Sequence, residues 1–299
     1  MADSPAATAT STIEPPSGLS VLLKAALPSL PVVNQLPGVR KASRDGFAGL
    51  SYSRPPVSVE RAAVEAFADV CGFPHKDVVP LPYPHLLAFG LQMAIMSDPA
   101  FPAPAVGTVH LENSITQHRP IRIGETLSVT EHVGAPVPHP KGTVYEFVTE
   151  IRVGDTSGEL VWEETSAYLR RGKSDKDASY GTVFPEASPS GVVWRLPADL
   201  GRQYAAVSGD HNPIHLYPVT AKALGFPRQI AHGMWTMARC VAHLENRLPD
   251  AVRVDVAFKK PVLLPGKVEY GATPVDRGYA FGLTSTSGKP HLAGRTTAL

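Results

Sequence analysis

The run Leu81-Pro-Tyr-Pro-His-Leu-Leu-Ala-Phe-Gly-Leu-Gln-Met-Ala-Ile-Met96 decides the fold. Beyond Pro84 it is apolar nearly all round, and a helix without a polar face must be buried on every side. Pro, His and Gln break the run, which falls short of a bilayer span, so its cover has to be protein. The text that follows supplies that cover. Residues 108–115, 125–133, 143–153 and 159–170 alternate polar and apolar positions, carry many β-branched side chains and are punctuated by Gly and Pro. They predict a sheet wrapped around the helix.

The second half repeats this plan. Residues 231–246 (AHGMWTMARCVAHLEN) form another long, mainly apolar helix, with strands at 252–259, 266–274 and 279–286 and a last one near 292–297. His118-Arg-Pro-Ile-Arg-Ile-Gly124 resembles Lys259-Lys-Pro-Val-Leu-Leu-Pro-Gly266, each placed after a strand that follows an apolar helix. The matching order predicts a duplicated α+β unit. A long central helix embraced by an antiparallel sheet is the hotdog arrangement, so the sum is a double hotdog. His85-Leu86 stands in the first half where the second has His232-Gly233.

The remaining text sets the boundaries. Residues 1–20, rich in Ala, Ser, Thr and Pro, read as a mobile tail. Residues 21–172 make the N-terminal unit, including an amphipathic helix at 58–70 capped by Ser58. Residues 173–190 (KSDKDASYGTVFPEASPS) are polar and turn-rich and read as a linker. Residues 191–299 make the C-terminal unit, opened by a short strand at 192–196 and a short helix at 199–207.

Composition narrows the partners. A formal charge of +1 gives no field for nucleic acid or an anionic membrane. Two isolated cysteines, Cys71 and Cys240, make neither a disulfide framework nor a zinc pair, and a cytoplasmic setting fits them. No basic cluster and apolar run open the chain.

The chemistry concentrates in YAAVSGDHNPIHLYPVTAKALGFPRQIAHGMW, residues 204–235. Asp210 and His215 flank the turn-former Asn212-Pro213, which can aim both side chains into one cavity. A carboxylate and an imidazole can hold and deprotonate one water without a metal, since their proton affinities differ. Gly233 at a helix start offers an unpaired N–H, the positive end of the dipole and room for close approach, as developing negative charge requires. The same run also reads as a plain turn, with Asp210 bonding its own backbone and His215 on the surface. Residue types alone leave both open.

Spacing goes further. Ser208-Gly-Asp-His-Asn-Pro-Ile-His215, followed by Ala221, Phe226 and Ile230-Ala-His-Gly233, resembles the signature of MaoC-like, R-specific enoyl-CoA hydratases and 3-hydroxyacyl-thioester dehydratases. The resemblance spans roughly thirty residues. It implies a hotdog fold, Asp210 and His215 as catalytic groups, Gly233 N–H as oxyanion donor and Asn212 as a supporting polar residue; Ser208, and Tyr204 a few residues ahead, are candidates for positioning the substrate, Tyr204 reading equally as a packed aromatic. It further implies reversible hydration of a 2-enoyl thioester carried by CoA or acyl carrier protein, with no metal or redox cofactor. One position departs. Many members have His-x-Asp-Pro where this chain has His215-Leu-Tyr217-Pro218, which puts in doubt whatever contact that Asp makes.

The first half has no such run, which predicts one site per chain and an N-terminal unit given over to the acyl tail, with Ala88, Phe89, Leu91, Met93 and Met96 as tunnel candidates or plain core. Arg228, Arg239, Lys259 and Lys260 are candidates for the carrier's phosphates. His85, His110, His118 and His243 show no ligand spacing, and Cys240 reads as core. Two rivals stand beside a hydratase. A thioesterase sends the water to the carbonyl, but here the second helix has only Glu245, at its far end, as a carboxylate. A non-catalytic acyl-binding subunit has no need of Asp210, His215 and Gly233 together. Two hotdogs in one chain allow a monomer as well as a homodimer.

Overall fold

The computed structural model describes residues 10–16, 47 and 49–299. In chain order the first half holds β1 (Ser11–Thr12), β2 (Ser51–Ser53), β3 (Val57–Ser58), α1 (Arg61–Cys71), α2 (His85–Ser97), β4 (Thr108–Gln117), β5 (Thr126–Val133), β6 (Val137–His139), β7 (Gly142–Val153) and β8 (Leu160–Arg171). The second holds β9 (Pro189–Leu196), α3 (Leu200–Ser208), α4 (Pro213–Leu216), α5 (Pro218–Ala223), α6 (Gly233–Leu244), β10 (Val252–Phe258), β11 (Gly266–Val275), β12 (Gly278–Ser285) and β13 (Pro290–Ala298).

The described strands form one sheet in the order β1-β2-β5-β7-β8-β4-β10-β13-β12-β11-β9, with β3 on β5 and β6 on β7. The order is a palindrome of roles. In each half a strand after the apolar helix lies innermost, and β4 pairs antiparallel with β10 to join the halves. This is the predicted double hotdog. The duplication extends to individual hydrogen bonds: Val79 N–H donates to Ile121 O (2.8 Å) and Ala231 N–H to Val262 O (2.9 Å) at matching places.

That pairing corrects the expected alignment of helix starts. Ala231 matches Val79, so Gly233 matches Leu81 and not Leu86. In the first half Pro80, Pro82 and Pro84 crowd the start, and a residue before proline is pushed out of helical conformation. The chain therefore makes a turn over 81–84, fixed by Trp162 Nε1–H donating to Leu81 O (2.9 Å), and α2 begins only at His85. The two helices are buried as predicted, α2 through Ala88, Leu91, Ile95 and Met96 and α6 through eight residues including Trp235, Met237 and Val241. Ala88, Leu91 and Met96 belong to the core, and Met93 packs against it.

Three further expectations change. Ser58 does not cap α1: it pairs with Thr126 as part of β3, and Glu60 occupies the cap position without a side-chain bond. Of the stretch 1–20 read as a tail, residues 10–16 are placed on the protein. Ser11–Thr12 pair in parallel with Tyr52–Ser53, and Pro15 lies against α2 where a Cβ on Gly90 would come within 2.7 Å of it. The rest of that stretch is outside the described residues. The polar segment before β9 is tied along the sheet, with Thr182 N–H and Oγ1 bonded to the Glu112 carboxylate (2.7 and 3.0 Å) and Tyr180 Oη–H donating to Glu146 (3.0 Å). Among the described residues no helix is long and apolar enough to cross a membrane.

Candidate active site

Helix α3 ends at Gly209, whose φ of +75° puts it in the left-handed region that glycine takes without strain. The chain then turns tightly. Asp210 N–H donates to Ser208 Oγ (3.2 Å), and Asp210 Oδ1 accepts from Asn212 N–H (3.0 Å). Asn212 caps the short helix α4, its Oδ1 accepting from Ile214 N–H, and Pro213 occupies the first helical position, where no donor is needed. Helix α4 sits directly on α3, since a Cβ on Gly201 would stand 1.9 Å from His215 O. His215 is thereby turned inward, 7% exposed. Of the plain-turn alternative, Asp210 does bond its own backbone, but His215 is not on the surface.

Two hydrogen bonds settle which nitrogens are free. His215 Nδ1 lies 2.8 Å from Ile230 O. A carbonyl only accepts, so Nδ1 carries the proton and Nε2 keeps the lone pair. Ile230 is itself clamped, its N–H donating to Ile214 O (3.1 Å) and its backbone bridging Leu263. Two residues on, His232 Nε2–H donates to Asp210 O (3.0 Å) and lies 3.7 Å from Asp210 Oδ2. The rings of His215 and His232 stack with centroids 3.7 Å apart, and Tyr204 backs His232 at 4.9 Å. One nitrogen of each imidazole and one Asp210 oxygen lie within 4.8 Å of each other. Such a trio has the spacing of a metal set; the Nε2 of His232 is taken by the Asp210 carbonyl, while its Nδ1 is buried with no partner among the described residues. Asp210 and His215 Nε2 remain to face a small ligand.

The electrostatics assign the charge. Burial lowers the His215 imidazole below its ordinary pKa, overriding the pull of Asp210. Burial, with His215 next to it, pushes His232 down to about 3. Burial acts to raise the Asp210 carboxyl, but His232, His215 and the Asn212 amide outweigh it and hold it below its ordinary value. At neutral pH the site is one carboxylate with two neutral imidazoles. Gly233 opens α6 next to it, and as the first helical residue it has an N–H with no intrahelical acceptor.

The predicted residues divide. Asp210 and His215 come together with His232, which Gly233 follows at the start of α6. Ser208 and Asn212 bond within the Asp210–His215 loop, and Tyr204 packs against Phe67 and His232. Arg239 is withdrawn from the phosphate candidates, since its Nη1–H donates to Cys71 O (3.2 Å) and its guanidinium lies over Trp194. Arg228, Lys259 and Lys260 are exposed. Cys240 is fully buried, and burial raises its thiol pKa, as expected of core. Sequence reasoning took His232 only as the opening of a helix. Its contact with Asp210 spans 22 residues and had no local signal.

A duplicated helix-in-sheet chain with a carboxylate and an imidazole converging near a helix start defines a double-hotdog protein with a candidate acid–base site. The comparisons give its family. The MaoC like domain matches residues 191–284. The chain is 36% identical to 3-hydroxyacyl-thioester dehydratase X of Mycobacterium tuberculosis over 288 residues, covering 95% of this chain and 99% of the relative. The crystal structure of HtdX from that organism superposes with a TM-score of 0.74 at 35% identity, covering 83% of this chain and all of the other. Enoyl-CoA hydratase ChsH3 of the same organism is 27% identical over 173 residues, 50% of this chain and 60% of its own length. This chain belongs to the MaoC-like family.

Proposed function

We propose that the chain adds water reversibly across the double bond of a 2-enoyl thioester and, in reverse, dehydrates the (R)-3-hydroxyacyl thioester. The observation that carries this is the approach of the His215 imidazole, whose Nε2 keeps its lone pair, to the Asp210 carboxylate, with Gly233 opening the helix that follows His232. The names of the relatives, a 3-hydroxyacyl-thioester dehydratase and an enoyl-CoA hydratase, support the two directions.

The steps balance without another reactant. Asp210 accepts one hydrogen bond from a water while His215 Nε2 accepts the other. As the water oxygen bonds to Cβ, its proton passes to Nε2, and the π electrons move to an enolate whose oxygen is held by Gly233 N–H. The resting site holds no acidic proton of its own, so the one that reaches Cα is the one taken from water, returned by His215. In dehydration the same groups take the α proton and return it to the departing hydroxyl. Asp210 keeps its charge throughout and stabilises the transient imidazolium. CoA and acyl carrier protein both remain within this reading as carriers. Incubation with crotonyl-CoA tests it: loss of the enone absorbance without free thiol supports hydration, and thiol release supports a thioesterase. If Asp210→Asn leaves turnover or cellular function intact, the pair is not catalytic.

A further inference from the structure

The two units provide an internal comparison. The shared backbone bonds equate Ile121 with Val262, hence Ile115 with Val256 six residues earlier. Following the registers outward, Ile115 faces Glu164, then Thr149, then Glu131 across β4, β8, β7 and β5. The same line in the second unit runs Val256, Gly294, Phe281, Ala272. There that line is carbon: a Cβ on Gly294 would come within 2.6 Å of the Phe281 ring. In the first unit the line carries two carboxyls and a hydroxyl, all at most 2% exposed.

More polar groups join them. His85 Nδ1 lies 2.9 Å from both Glu164 oxygens, and Asn113 Nδ2–H donates to Glu164 (2.6 Å) and Ser166 (2.9 Å). Gln92 on α2 stands near the hydroxyl of Tyr168, on which His110 stacks at 4.3 Å. Gln92 Nε2, His110 Nε2, Asn113 Oδ1 and Glu131 Oε2 are buried with no hydrogen-bond partner among the described residues. Buried polar atoms are ordinarily partnered, and these four lie on neighbouring elements of one unit. The set is also uncharged towards a ligand. Burial, then Glu164, keeps the Glu131 carboxyl protonated. Burial, then His85, holds His110 neutral, its pKa pushed down to about 3. Glu164 compensates His85 directly.

This interior adjoins the active site. The Phe258 ring lies 3.2 Å from where a Gly233 Cβ would stand, and its centroid is 4.8 Å from that of His110. From the thioester position at Gly233, a line of contacts leads past Phe258 to His110, Tyr168 and Gln92. We propose that the N-terminal unit recognises a neutral oxygen function, a hydroxyl or ketone, on the distal part of the acyl chain. This rests on the acyl-thioester reading above. A plain alkyl tail would leave His110 Nε2, Asn113 Oδ1 and Glu131 Oε2 without a partner, whereas an oxygen presents both lone pairs and, as hydroxyl, a donor.

The test compares kcat/KM of the full chain for 2-enoyl-CoAs of equal length, one plain and one with a distal hydroxyl or ketone, the oxygen being moved along the chain. A site built for a hydrogen-bonding group rejects the analogue lacking it, so the oxygenated member should be favoured by about ten-fold or more. Gln92→Met and Glu131→Leu should collapse that ratio. Because each ratio is taken on one preparation, loss of folded protein cancels. Calorimetric binding of the saturated acyl-CoA counterparts reads the same preference without turnover. A chain that binds the oxygenated thioester preferentially but hydrates neither member supports this inference and sinks the hydratase reading. Equal or better use of the plain chain at every oxygen position, or a ratio that survives Gln92→Met and Glu131→Leu, overturns the inference alone.

Discussion

Asp210→Asn removes one charge and almost nothing else. The amide oxygen can keep the bond from Asn212 N–H at 3.0 Å, and Ser208 and His232 hold the residue by its backbone, so the loop should stay in place. What disappears is the partner for His215 when it becomes an imidazolium. At the 4.8 Å that bounds the two groups, with an effective dielectric constant near 20, that attraction is about 3.5 kcal/mol. It exists only in the charged transition state, so the loss falls on the barrier. At about 1.4 kcal/mol per factor of ten, kcat/KM should fall a few hundred-fold. Continuous loss of enone absorbance with crotonyl-CoA measures it, and a thermal melt checks that the variant is folded. A folded Asp210→Asn protein within ten-fold of the wild type would refute the reasoning.

Other outcomes follow from the same geometry. His215→Gln removes the base, and kcat should drop by about 10²–10⁴ with KM little changed, read from crotonyl-CoA saturation curves. His232→Phe keeps the ring stack but loses the bond to Asp210 O; at about 1 kcal/mol for that bond, kcat should fall roughly five-fold, and a loss as large as that of His215→Gln would mean direct catalysis. The pKa of His215 is lowered in the free enzyme, so the acid limb of kcat/KM should lie below pH 6.5; a limb above it contradicts the burial argument. His232 titrates near 6.5 when unfolded and about 3 when folded. Its contribution to stability is present above pH 6.5 and is lost as pH falls towards 3, so urea midpoints should decline over that window and decline less in His232→Phe.

Much of this was visible in the chain before folding because the signals were local. The all-round apolar runs demanded a wrapping sheet, and alternating residues supplied its strands. Asp210, His215 and Gly233 fall within one run of fixed spacing. What escaped was set by long-range register. Glu131 and Glu164 sit in alternating strands, where charged positions ordinarily face water, and only the pairing shows them turned inward towards α2. The offset between the two helix starts came from three prolines, which the likeness of His85-Leu86 to His232-Gly233 concealed. Ser58 looked like a cap because it precedes a helix, yet strand pairing with Thr126 claimed it.

The fate of a labelled solvent oxygen tests the central claim most directly. With crotonyl-CoA in heavy-oxygen water, mass spectrometry of the product should find the label in the 3-hydroxyl with the thioester intact. Label in a free carboxylate, with CoA released, would contradict the account.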